Sequence, residues 1–124
     1  MRRDPDRDDG AYLWDMLRHA EELVRIAGSR TIEDLKSDRI FRLAVERLIE
    51  IIGEASRSVG DETRRRHANI QWRAIEAQRH VLAHEYGDID VHKIWRVVTT
   101  HVPELIEQLR PIVPDPPPDP LPEE

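Results

Sequence analysis

The sequence predicts an all-α protein, an up-and-down bundle of four to five helices, and three observations carry that prediction. Apolar residues recur at steps of three and four over several long stretches, as in helices with one buried face. Glycine, aspartate and threonine stand at the ends of those stretches, where helices are capped and stopped. No segment alternates apolar and polar residues as a half-exposed strand does. Helices that each hide one stripe satisfy it by packing on one another.

Residues 1–9 read as a flexible leader, and the helical domain is expected over 10–111. Asp8 or Asp9 offers a cap for a first helix whose stripe is Leu13, Leu17, Ala20, Val24 and Ala27, with Gly28 as its stop. Thr31-Ile32-Glu33-Asp34 has the form of a capped turn, and Asp38 a second cap opening a long helix to about Val59. Its apolar set is Ile40, Phe41, Ala44, Val45, Leu48, Ile51, Ile52, Ala55 and Val59, the most apolar segment and the expected core helix. Gly60 ends it, and residues 61–69 read as a charged connector. A third helix is expected from about Gln71 to Glu85, closed by Gly87. Asp90 caps a fourth with Ile94, Trp95, Val98, Val102, Leu105, Ile106 and Leu109 inside. Pro103 interrupts that helix, so a kink or a restart is expected there. Trp72 and Trp95 fall on inner faces and are expected to anchor the core. Residues 112–124, rich in proline, are expected to form an extended, disordered tail.

The 124 residues favour one domain with a modest core. Charged residues make up 35% and aromatics 5%, so the surface is heavily solvated and the core mostly aliphatic. No apolar run is long enough to span a membrane, and the polar N-terminus lacks the apolar stretch of a secretory signal. The chain has no cysteine, which rules out disulfides and thiolate metal sites and suits a reducing cytoplasm, the expected location. A net charge of −6 and a pI near 5.5 argue against coating nucleic acid non-specifically. A local basic site remains open: Arg57, Arg64, Arg65, Arg66, Arg73 and Arg79 outnumber Asp61, Glu62 and Glu76 between residues 57 and 84. Arg64, Arg65, Arg66 and Arg73 are the candidates for RNA contact, with a solvated connector as the plainer reading of the triple arginine.

The chemistry gathers in Arg79-His80-Val81-Leu82-Ala83-His84-Glu85-Tyr86. At about 100° per residue, His80 and His84 share nearly one helix face, and Arg79 lies about 140° from His84. One helix aims both at a single target poorly, and two such helices meeting about a two-fold axis do so better. An imidazole titrating near neutrality takes the proton of a ribose 2′-hydroxyl or returns one to the leaving 5′-oxygen. A guanidinium binds the scissile phosphate and stabilises its developing charge. That chemistry uses the substrate's own nucleophile and needs no metal or cofactor. Other readings of the same spacing are a solvent-exposed polar face and a metal site, for which His80 and His84 supply two ligands and His92, His101, Glu85 or Asp88 a third.

Arg79-x4-His84-x-Tyr86 resembles the signature of the HepT-like toxins, a branch of the HEPN superfamily. The resemblance runs from about Ala11 to Leu109. It includes Glu50-Ile51-Ile52-Gly53-Glu54-Ala55, Trp72-x-x-Ile75, His84-Glu85-Tyr86, Ile94-Trp95 and Pro103-Glu104-Leu105. It implies a HEPN-like bundle forming a two-fold homodimer whose paired motifs line a cleft. The implied activity is a metal-independent endoribonuclease with Arg79 and His84 as the catalytic pair. His80 stands where the family often carries asparagine or another polar residue, a departure that leaves it a catalytic helper or phosphate contact. The family is usually the toxin half of a type VII-like toxin–antitoxin pair. Its cognate partner resembles a minimal nucleotidyltransferase and can attach AMP to the motif tyrosine, here Tyr86. A different class of function for the same scaffold is a non-catalytic HEPN module that binds a nucleotide or serves as a subunit of a nucleotidyltransferase complex.

Overall fold

The computed structural model describes residues 5–84 and 91–115, with residues 5–8 and 79–84 described as backbone. Among the described residues the ordered elements are helical: α1 (Pro5–Ala27), α2 (Ile32–Ser37), α3 (Arg39–Ser58), α4 (Asp61–Arg66), α5 (Trp72–His84), α6 (Val91–Arg96), a π-helical segment Val97–His101, and α7 (Val102–Leu109). They form an all-α bundle in which α1 packs on α3 and α7, α3 packs on α5, and α2 closes against α3 and α6. None of these helices is long and apolar enough to cross a membrane.

The helix boundaries follow from local chemistry. Gly28, with φ of +40°, adopts the left-handed backbone that terminates α1, and its N–H donates to Val24 O. Thr31 and Asp34 form a reciprocal capping box on α2. The Asp38 carboxylate accepts from Phe41 N to cap α3. The first helix begins at Pro5, inside the stretch read as a flexible leader, and Asp9 is buried rather than capping α1. Its carboxylate accepts from Gly60 N at 3.2 Å and from Thr63 Oγ1 at 2.6 Å, so it caps α4 across 51 residues of chain. The stretch 61–69, read as a connector, folds its first two-thirds into α4.

The core gathers Leu13, Met16, Leu17, Ala20 and Leu23 of α1, Val45, Leu48, Ile49 and Ile52 of α3, and Val98, Val102, Leu105 and Leu109 of the last helix. Two residues assigned to inner stripes lie outside: Val24 is 38% exposed and Ile40 is 81% exposed. The buried stripe of α1 turns through Leu23 instead of Val24. On α3, Ile40 lies about 100° around the helix from Phe41, which heads the buried face. The two tryptophans are anchors as expected. Trp72 is buried with its indole N–H on His67 O, and Trp95 meets Phe41 edge-on at 6.4 Å.

A new α-helix, α7, starts at Val102 with Pro103 in its first turn, the restart that the sequence offered as one of two outcomes. The preceding turn widens, Val102 N–H reaching Val97 O five residues back. Proline lacks the N–H that would bond to Thr99 O, and its ring crowds that carbonyl, so a wider turn before it relieves both. Beyond α7 the chain turns back instead of leaving the bundle: Ile112 and Val113 pack against the core, and Trp14 Nε1 donates to Pro114 O at 2.7 Å.

Candidate active site

Arg79, His80 and His84 stand on the last two turns of α5, as the sequence predicted, while Glu85 and Tyr86 lie outside the described residues. The helical backbone fixes their register. His80 and His84 share one face about 40° wide, and Arg79 stands about 100° from His80 on the opposite flank from His84. The two positions, Arg79 and His84, therefore fall about 140° apart around one copy of α5.

Among the described residues, two concavities flank this helix. The first is an apolar groove of about 370 Å³ between α5 and the π segment–α7 arm, with Ile49 and Ile52 of α3 among its lining residues. Gln71 just before α5 and Ala74, Ile75 and Gln78 of α5 line it, a face centred about 150° from that of His80 and His84. His101 opens into it from the π segment, so the groove draws His101 toward the side of α5 away from the motif histidines. Sequence periodicity gave no hint of this groove, because it arises where α5 packs on α3 yet stands off from α7.

The second concavity is basic and sits at the start of α5, where Asp61, Arg64 and Arg65 of α4 meet Gln71, Trp72 and Arg73. The four arginines that the sequence offered for RNA contact differ here. Arg64 is half-buried and fully engaged: Nε donates to Val59 O at 3.1 Å, Nη2 to Ser56 O at 2.7 Å, and the guanidinium pairs with Glu76 and lies over the Trp72 ring. It satisfies carbonyls at the C-terminal end of α3, where helix ends lack internal donors and cations are favoured. Arg65 and Arg73 are exposed, and neither has an ion pair among the described residues. Arg66 is exposed on the last turn of α4. A carboxylate twelve residues after Arg64 was the available signal for its structural role, since α4 and α5 must approach for Trp72 to be buried.

Two carboxyl groups elsewhere among the described residues are perturbed: hydrogen bonds from Phe41 N–H and Arg30 hold the Asp38 carboxyl low, and Glu46 shifts the other way. Glu46 on α3 is half-buried, and burial pushes its pKa above the usual carboxylate range, opposed in part by Arg42 and Arg39. Its Oε1 is buried without a hydrogen-bond partner.

Comparison with known proteins fits this scaffold. The family profile described as "Ribonuclease HepT-like" matches residues 16–112. A protein named "Probable ribonuclease HepT" from Thermococcus cleftensis is 34% identical over 102 residues, covering 80% of this chain and 93% of its own. "Putative RNase MJ1380" from Methanocaldococcus jannaschii is 31% identical over 103 residues, 83% of this chain and 94% of its own. "Putative RNase TTE0752" from Caldanaerobacter subterraneus is 32% identical over 102 residues, 82% of this chain and 91% of its own. No solved structure matches the chain. With the family match running from the middle of α1 past the end of α7 and relatives aligned over most of both lengths, the chain belongs to the HepT-like ribonuclease family.

Proposed function

We propose that this chain is a metal-independent endoribonuclease acting as a two-fold dimer, with Arg79 and His84 as its catalytic pair. The observation that carries the reading is the Arg79-x4-His84 spacing at the end of α5 in a chain that belongs to a ribonuclease family. In this mechanism the His84 imidazole takes the proton of a ribose 2′-hydroxyl as that oxygen attacks the adjacent phosphorus. The bond from phosphorus to the 5′-oxygen breaks, leaving a 2′,3′-cyclic phosphate. A protonated imidazole, that of His80 or of a second copy's motif, returns a proton to the departing oxygen. Arg79 binds the non-bridging oxygens and stabilises the charge they gather. The angular separation of Arg79 and His84 on one helix supports a site composed from two subunits.

The biological role that best fits is the toxin of a type VII-like toxin–antitoxin pair, held in check by a cognate nucleotidyltransferase. AMP attached to Tyr86, two residues beyond His84, sets a phosphate beside the groups that bind RNA phosphate and competes with substrate for them.

The test is cleavage of cellular RNA by the purified chain in EDTA, beside His84→Ala and Arg79→Ala variants. Cyclic-phosphate ends from the parent alone are expected. Activity abolished by chelator would remove the metal-independent mechanism, and no cleavage under any condition would favour the non-catalytic subunit reading.

A further inference from the structure

We propose that single-stranded RNA lies along α5, its scissile phosphate at the motif and its flanking backbone in the basic depression at the other end, held by Arg65 and Arg73. The inference rests on RNA being the substrate, and it assigns the part of the protein that holds the strand away from the cut.

Register carries the first step. Arg73, His80 and His84 fall within about 40° of one another around α5, at intervals of seven and four residues. Arg73 thus stands on the same helix face as the motif histidines, roughly 10 Å and 16 Å along the axis from them at about 1.5 Å per residue. Ala77 lies on the same face between them and is exposed, and Glu76 on the other flank of that track is drawn to Arg64. Across the depression Arg65 joins Arg73 from α4.

Charge carries the second step. Arg65 and Arg73 have no ion pair among the described residues, whereas Arg64 beside them is neutralised by Glu76. Asp61 also lines the concavity without pairing with Arg65 or Arg73 among the described residues, and two guanidiniums facing it suit two oxygens of a phosphate backbone. Among the described residues, the apolar groove on the other side of α5 is lined by no arginine or lysine. In a chain of net charge −6, this localisation matters more than it would in a basic protein.

The experiment measures binding of a labelled, fully 2′-O-methylated single-stranded RNA long enough to span α5, by fluorescence anisotropy over a salt series. Such a strand lacks the attacking hydroxyl, so binding is read whether or not the protein cleaves. Each phosphate contact contributes about 0.7 to the log–log salt slope for single strands. The Arg65→Gln/Arg73→Gln double variant is expected to lose about 1.4 of that slope while melting like the parent. Arg25→Gln, which removes an exposed charge at the end of α1, is expected to keep the parent slope. On active protein, the double variant should raise KM for long RNA at unchanged kcat and leave a dinucleotide substrate unaffected. No binding of the oligonucleotide, an unchanged slope in the double variant, or an equal loss in Arg25→Gln would overturn the proposal. Absence of cleavage with the slope change intact would refute the ribonuclease reading alone.

Discussion

Replacing Arg64 with alanine separates the structural arginine from its neighbours more sharply than any other single change. The side chain is 20% exposed and donates two charge-assisted bonds to Ser56 O and Val59 O while pairing with Glu76. Hydrogen bonds involving a charged group contribute about 1.5–3 kcal/mol each. The partly exposed ion pair adds up to about 1 kcal/mol, and the stack on Trp72 about 0.5–1 kcal/mol. The carbonyls lie at a helix end beside exposed Arg57 and Ser58, so water recovers part of the loss. A net destabilisation of about 2–4 kcal/mol remains, which for a chain of this length lowers Tm by roughly 10 °C. Arg65→Ala, with no partner to lose, is expected to stay within about 0.5 kcal/mol of the parent. Urea unfolding followed by circular dichroism measures both. Equal stability of the two variants would refute the assignment, as would an Arg64→Ala protein of parental stability.

Other perturbations test the scaffold. Asp9→Ala strands the Gly60 N–H and the buried Thr63 hydroxyl and is expected to cost about 2–3 kcal/mol, with Asp9→Asn, which keeps an acceptor, costing less; urea midpoints decide. Because burial raises the pKa of Glu46 in the fold, its contribution is present at low pH and is lost as pH rises through the raised value. Glu46→Gln should therefore raise the urea midpoint at pH 7 and flatten its decline from mildly acid to neutral pH. A β-carbon at Gly10 would sit 2.9 Å from Pro114 Cγ, so Gly10→Val is expected to release residues 111–115 from α1, read as new proteolytic cleavage there with the rest of the bundle intact.

Much of the bundle was legible in the sequence because its signals are local. The capping box at Thr31, the Asp38 cap, the Gly28 stop and the apolar stripes each specify a boundary or a face within a few residues. What escaped is tertiary. Asp9 reads as a cap for its own helix, since nothing nearby shows that a helix N-terminus 51 residues away needs its carboxylate. Val24 and Ile40 satisfy a 3.6-residue stripe and are nevertheless exposed, because the edge of a stripe is buried only if a neighbour reaches it. The candidate motif was legible as spacing, and α5 confirms that spacing as helical. The groove and the depression beside it were not, because both lie where separate elements approach.

The arginine run 64–66 shows why charge composition alone divides so poorly into structural and functional. On a helix, consecutive residues point about 100° apart, so three adjacent arginines cannot share one role. Arg64 falls on the side of α4 that faces the end of α3 and the start of α5. It ties Ser56, Val59 and Glu76 together around Trp72. That strut fixes where α5 begins, and so fixes Arg73 opposite Arg65. A lysine at position 64 keeps the charge but not the planar fork that reaches several acceptors at once. Arg64→Lys is therefore expected to lose most of the stability that Arg64→Ala loses. It should also weaken RNA binding without lowering the salt slope, because the phosphate contacts stay in place but are held less rigidly. A slope reduced by about 0.7 in that variant, the signature of a lost phosphate contact, would instead make Arg64 itself a backbone contact.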